Sequence, residues 1–385
     1  MSNHASVLRN SCIEQQFANQ GARRSSLVPV PRSIAVLLRC GPASMWFAII
    51  LLCLFGLLPS RVWATCSYAN GTTAITIPVV LQGTITVGRD APVGTEIYRT
   101  YVHSNQIVAV TCDEVSPFNF QYISLPYPKA NYTDPVYGNN VYQTNVPGVG
   151  VVGWAGDPPK AMPASFNSSI VGTTTVNTDW YYFSFIKIGP VSAGTITGAS
   201  LPTLQYVVGS NNLRLQLGGA TGSLSIIAQT CTTPNVSVNL GTHFTTELSG
   251  VGTTTNQWVS VPIALNNCPA FFGYTSTSID DGVTTPGLLG QNSILYSITP
   301  SNGIADATDG VMNLSSGGAT GIGIQLTDIS SNPVQFNTTT PSGLTLNETS
   351  SANYTINLQA RYYQTGASIT AGSANATATV TLTYL

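Results

Sequence analysis

Two carboxylate pairs, two histidines and a run of evenly spaced tyrosines are the residues here that could do chemistry. The tyrosines carry the strongest signal. Tyr122, Tyr127, Tyr132, Tyr137 and Tyr142 recur among Asn and Pro residues, and Trp154 follows in a glycine-rich stretch. Aromatic faces stack on sugar rings, and neighbouring amides and carboxylates orient the hydroxyls. The same tyrosines could instead pack a long loop onto a sheet. Catalysis finds less support. Asp113-Glu114 and Asp280-Asp281 are adjacent carboxylates, but consecutive strand residues face opposite ways, and Gly282 marks a turn after the second pair. Beyond the leader region only His103 and His243 remain, too few for a metal cluster or a histidine-based triad. A glycan-degrading enzyme would need two carboxylates converging in a cleft. The expectation is a binding protein rather than an enzyme, with no cofactor and no metal.

The composition states what must position these residues. Only 7% of the 385 residues are charged while 43% are hydrophobic, against roughly 25% charged in average soluble domains. Disorder is excluded by the apolar content. The abundance of Thr, Val, Ile and Tyr suits pleated, half-buried surfaces joined by polar turns. Met45 to Leu58 is an apolar run of 14 residues preceded by Arg23, Arg24, Arg32 and Arg39, and Val62-Trp63-Ala64 closes it. That is short of the ~20 residues a membrane span needs, so 1–64 reads as a signal peptide with a long N-terminal extension, cleaved after Ala64. A signal anchor is the rival. Removing the leader leaves 7 basic against 14 acidic side chains. Such a balance offers no footprint for nucleic acid. Nine Asn-X-Ser/Thr sequons, among them Asn70-Gly-Thr and Asn347-Glu-Thr, arise by chance in so Asn- and Thr-rich a chain.

Strand patterns dominate. Val108, Val110 and Cys112 share one parity, as do Leu213, Leu215 and Leu217; Trp180 to Ile188 is apolar on both. Further on, Tyr354, Ile356, Leu358, Ala360 and Tyr362 alternate with polar residues, and so do Ala376, Ala378, Val380, Leu382 and Tyr384. Such alternation specifies one buried face per strand, and no amphipathic helix is visible. An all-β chain of two immunoglobulin-like sandwiches in tandem, over 65–229 and 230–385, is the natural architecture. Cys66, Cys112, Cys231 and Cys268 allow three pairings; local pairing, Cys66 with Cys112 and Cys231 with Cys268, gives each half one bridge.

The last residues, Gly372 to Leu385 (GSANATATVTLTYL), resemble the C-terminal signature of chaperone–usher pilus subunits: a glycine about fourteen from the end, alternating apolar residues and a penultimate tyrosine. Cys231-Thr-Thr-Pro, Val259 to Cys268 and Leu358 to Gly372 resemble further parts of the pilin domain. The resemblance implies an incomplete sandwich lacking its seventh strand. A periplasmic chaperone, and then the next pilin subunit, fills the groove by β-augmentation, at Gly372, Ala376, Ala378, Val380, Leu382 and Tyr384. Thr65-Cys66-Ser-Tyr-Ala-Asn-Gly-Thr resembles the opening of type 1 fimbrial tip adhesins. With a whole domain where shaft pilins carry their donor strand, the chain would accept a strand and donate none. It would then sit at the extracellular pilus tip, delivered through the periplasm to an outer-membrane usher.

In the type 1 family the mature N-terminus, an Asn-Asp pair after the second cysteine and a later loop build a mannose pocket. The matching positions here are Thr65, Asp113-Glu114 and Asn211-Asn212. The pair differs, and Thr65 stands where that family has an aromatic, so mannose, another glycan and a matrix protein all remain open. The implied function is a fimbrial tip adhesin attaching bacteria to host surfaces. A tip subunit that only initiates assembly is the alternative, and a secreted glycan-active enzyme a remote one. The first half, read as a closed sandwich, is expected to fold alone.

Overall fold

Period-two alternation marks many of the strands in the described residues, 65–177 and 180–385 of a computed structural model. The leader lies outside them. The fold is all-β, as its composition requires. Among the described residues only two 3₁₀ turns, Gly198–Ser200 and Thr245–Glu247, interrupt the strands, and no described helix is long and apolar enough to cross a membrane.

The Ile107–Ser124 strand, 18 residues long, organises the first half. It pairs with Cys66–Tyr68, with Thr203–Val208 and with the long Ala164–Asn177 strand; Leu213–Gly218 and Ile75–Thr76 complete a six-stranded sheet. Facing it is a seven-stranded sheet containing, in order, Val283–Gly290, Tyr274–Asp280, Glu96–His103, Tyr181–Lys187, Val149–Ala155 and Tyr142–Gln143. A smaller four-stranded sheet is built on Ala220–Ile227. Between the sheets Tyr98, Phe120, Tyr181, Phe183 and Phe185 are fully buried. Burying a Phe side chain contributes about 1.5–3 kcal/mol. Tyr181–Lys187 is apolar on both faces for two different reasons. Tyr181, Phe183 and Phe185 face this core, whereas Ile186 belongs to a separate cluster with Val141, Val152 and Trp154 that Tyr132 and Tyr137 overlie.

The second half has its own core of Leu265, Ile298, Ile356, Leu358 and Tyr384. A five-stranded sheet runs Val259–Cys268, Ala352–Gln364, Ile322–Asp328, Val311–Asn313, Ile304–Asp306, and a three-stranded one Thr340–Pro341, Ile294–Pro300, Ala378–Tyr384. Ile356, Leu358 and Ala360 are buried as their parity demands, with Tyr354 and Tyr362 packed at the margin. The final alternating segment forms a strand only from Ala378; Ala376 packs against the core just before it.

One hairpin crosses the expected division at residue 230. Tyr274–Asp280 pairs in parallel with Glu96–His103, Thr275 opposite Tyr98 through Asp280 opposite His103. It turns back at Asp281 and Gly282, at φ 46° and 83°, the left-handed pair a tight hairpin needs, into Val283–Gly290. Thr277 is buried there and accepts a 2.8 Å hydrogen bond from the Tyr98 hydroxyl. The first-half sheet is therefore extended by strands of the second half, and the expectation of a sandwich closed by its own strands is corrected.

Candidate functional site

Pairing of Cys66–Tyr68 with Ile107–Ser124 sets Cys66 opposite Cys112, and the two are bridged, as are Cys231 and Cys268. The next residues along the ladder are Thr65 and Asp113. The Thr65 backbone N–H donates to Asp113 Oδ1 at 2.6 Å and its hydroxyl to Oδ2 at 2.9 Å. These bonds hold the Asp113 carboxyl below the usual carboxylate range. Asn211 arrives from the turn after Thr203–Val208, its Oδ1 accepting from Cys66 N–H at 3.1 Å and its Nδ2 donating to Cys66 O at 2.7 Å. Asn212 sits at φ 51° and accepts from Gln121 Nε2 at 3.0 Å. Thr65, Asp113, Asn211 and Asn212 thus gather around the disulfide, beside the Ile107–Ser124 strand. Glu114 follows on the same strand with its side chain exposed.

The tyrosines do not share that place. Tyr142 is buried, edge-on to Tyr122, whose hydroxyl accepts from Gly153 N–H at 3.0 Å. Trp154 is buried as well, donating from Nε1 to Ser184 Oγ at 2.8 Å. It stacks on Tyr182 with centroids 3.9 Å apart, while Arg99 lies 5.7 Å from its ring. Tyr137 tilts against the same indole at 5.9 Å. Tyr132 donates to Asp134 Oδ2 at 3.2 Å, and Asp134 Oδ1 accepts from the Val136 and Tyr137 N–H groups. Tyr127 is half-buried. Among the described residues no hydrogen bond or ring contact joins this cluster to Thr65 and Asp113.

Sequence reasoning passed over the rest of the aromatic row. Tyr101 lies 5.0 Å from Tyr182 and 5.4 Å from Trp180, and Trp180 stacks on His103 at 4.1 Å. His103 Nδ1 is 2.7 Å from Asp280 Oδ1 on the crossing hairpin. The apolar face of Trp180 to Ile188 pointed to this row, but pairing partners are not local information. Of the acidic pair, Asp281 carries Asn105 N–H at 2.8 Å; both carboxylates fasten the hairpin. Among the described residues no group of three His, Cys, Asp or Glu could hold a metal.

The second half contains a cleft. Among the described residues, Ala378–Tyr384 bonds to Ile294–Pro300 on one edge and to no strand on the other. Beside it Val236, Val238 and Leu240 stand on an unladdered segment over Ile263, Leu358 and Val380, enclosing about 170 Å³. Gly372 leads in, its backbone so close to Ala319 that a Cβ would lie 2.7 Å from the Ala319 nitrogen.

Near the mouth His243 Nδ1 is 2.8 Å from Glu247 Oε2, and Nε2 is 3.0 Å from Leu240 O. The hydrogen bond to Glu247, together with that carbonyl, raises the imidazole above its ordinary value. The contribution is fully present below the unfolded value of about 6.5 and fades as pH rises through the raised one. Glu247→Gln is expected to move the NMR titration midpoint of His243 downward; an unmoved midpoint would remove the pairing.

Residues 220–385 match the family model described as fimbrial protein. Over 347 residues, 86% of this chain and 97% of the relative, it is 26% identical to a fimbria adhesin protein of Klebsiella pneumoniae. Over 153 residues, 38% of this chain and 69% of the relative, it is 32% identical to a fimbrial subunit type 1 of Salmonella typhimurium. Among solved structures, the CupB6 tip adhesin of Pseudomonas aeruginosa aligns over 84% of this chain and 95% of its own at 17% identity and a TM-score of 0.34. The identity to the Salmonella subunit, across two thirds of that protein, places this chain in the fimbrial protein family.

Proposed function

We propose that the chain is the tip adhesin of a chaperone–usher fimbria, adhesive rather than catalytic, with residues 1–64 as its export leader. Residues 65–229 carry the ligand-binding half and 230–385 the pilin half, the two read as immunoglobulin-like sandwiches with the second lacking its seventh strand. The observation that carries this reading is the open edge of Ala378–Tyr384 above an apolar cleft, which a strand of alternating apolar residues would complete. A periplasmic chaperone supplies that strand first, the next subunit replaces it at the outer-membrane usher, and the chain ends at the extracellular tip. A host glycan or matrix protein is then taken at the end of the first half where Thr65, Asp113, Glu114, Asn211 and Asn212 gather. Exposed amides and carboxylates there present the acceptors that sugar hydroxyls need.

The test is a glycan and matrix-protein array probed with the full chain, a donor strand fused after Leu385. Asp113→Ala or Glu114→Ala is expected to lower binding roughly 10- to 100-fold, the worth of a hydrogen bond to a charged group, without altering incorporation into pili. Wild-type binding by both variants moves the site to Tyr127, Tyr132 and Tyr137. If the unsubstituted protein binds nothing, the chain is a structural, assembly-initiating tip subunit.

A further inference from the structure

The last strand has one edge open to solvent, and that edge is partly taken. In an antiparallel ladder successive residues turn their N–H and C=O groups to opposite edges. Leu385 and Ser293 exchange both backbone bonds, at 2.9 and 3.1 Å, on the side of Ile294–Pro300. Ala378, Val380, Leu382 and Tyr384 therefore turn theirs to the open side. Two residues of the first half stand there. Asp90 N–H donates to Tyr384 O at 3.0 Å, and Tyr384 N–H donates to Asp90 Oδ2 at 3.0 Å. Arg89 Nη2 donates to Leu382 O at 3.2 Å, and its guanidinium lies 5.7 Å from the Tyr384 ring. Arg89 Nε and Asp90 Oδ1 pair at 3.1 Å, so each side chain orients the other.

The same segment is fixed from behind. Lys187, only 3% exposed, donates from Nζ to Gly88 O at 3.0 Å and to Arg89 O at 2.7 Å. Gly88 lets the backbone come this close, since a Cβ there would stand 2.4 Å from Tyr384 O. Arg89 then closes one end of a cleft of about 660 Å³ that continues along Val380 and Ala378 to Val236. Along this edge Ala378 and Val380 have no backbone partner among the described residues.

We infer that Arg89 and Asp90 are a register stop for the strand that enters this cleft. This rests on the reading of the cleft as a strand-accepting groove. An entering strand of alternating apolar residues can ladder with Ala378 and Val380. The Leu382 carbonyl and both backbone groups of Tyr384 are already bonded, so it ends there. Its apolar side chains are thereby indexed to fixed pockets, and filling the groove is sensed by a segment rooted in the ligand-binding half.

The probe is a synthetic peptide with valine at alternate positions and a benzoylphenylalanine at one terminus or the other, added to the full chain. Cross-linked residues are located by mass spectrometry. With the wild-type chain the leading end is expected to cross-link at Val380 or Thr381 and not beyond Leu382. Arg89→Ala/Asp90→Ala frees the Leu382 carbonyl and the Tyr384 N–H, while the backbone N–H of residue 90 still holds the Tyr384 carbonyl. The cross-link should advance past Leu382 to Thr383, with about tenfold slower peptide dissociation from the added ladder bonds. Arg89→Ala alone changes an exposed side chain and frees only the Leu382 carbonyl; its cross-link should reach Leu382, and it decides the matter if the double variant fails to fold. Binding at the wild-type position in both variants would overturn the stop and leave the groove standing. No cross-link to any of the three proteins would overturn the groove, and the stop with it.

Discussion

On the proposed function, Val380→Asp is expected to abolish capture of the chain by a periplasmic chaperone, measured as loss of the co-purified complex on co-expression. Val380 and Leu382 pack against the second core from the open-edged last strand, and an unpaired carboxylate placed there costs several kcal/mol. Leu382→Asp should behave alike. Thr379→Asp and Thr381→Asp point to the exposed face and should be mild. The same geometry makes the wild-type chain expressed alone unstable or aggregating, because an open edge and an apolar cleft are templates for association. Fusing a donor strand after Leu385 should restore a soluble monomer. A wild-type chain that is monomeric and stable without chaperone or fused strand would close the second sandwich, and the pilus-tip reading would fall with it.

Much of this was legible because parity is local. Alternation at Ile356, Leu358 and Ala360 told which side chains face inward, and the same rule gave the apolar face of the last strand before any partner was known. The disulfides followed from sequence proximity. Thr65, Asp113 and Asn211 could be brought together only through the resemblance. Their convergence depends on Cys66 facing Cys112 across a ladder, and on a turn some 145 residues away folding back on Cys66. The even spacing of the tyrosines misled differently. Five-residue steps suggest one surface, but the chain bends between them. Tyr122 and Tyr142 end inside, while Tyr132 and Tyr137 lie over Trp154. The Arg89–Asp90 contact left no trace in the sequence, since a charged pair after a glycine reads as any solvated turn.

The crossing hairpin is the largest departure, and it has the largest energetic consequence for the first half. The Thr/Ser run of Tyr274–Asp280 has no apolar alternation to announce a strand, and a parallel pairing carries no turn signal to name its partner. Once made, it supplies a row of six register pairs from Thr275–Tyr98 to Asp280–His103. It also supplies the Tyr98–Thr277 hydrogen bond at 2.8 Å and the Asp280 and Asp281 contacts to His103 and Asn105. At about 0.5–1.5 kcal/mol net per hydrogen bond, the hairpin stabilises the first half by roughly 3 kcal/mol or more. Without it, Glu96–His103 becomes an exposed edge and the Tyr98 hydroxyl loses its buried acceptor. A Thr65–Gln229 fragment carrying the Tyr274–Gly290 hairpin on a flexible linker is therefore expected to unfold at clearly higher urea than the fragment alone. Thr277→Ala in that hairpin should remove about 1–3 kcal/mol of the gain by leaving the Tyr98 hydroxyl without its buried acceptor. Equal midpoints for the bare and hairpin-bearing fragments would make the parallel pairing dispensable and restore the first half as a sandwich that stands by itself. Unequal ones mean that the two halves are coupled through a shared sheet, not through a linker alone.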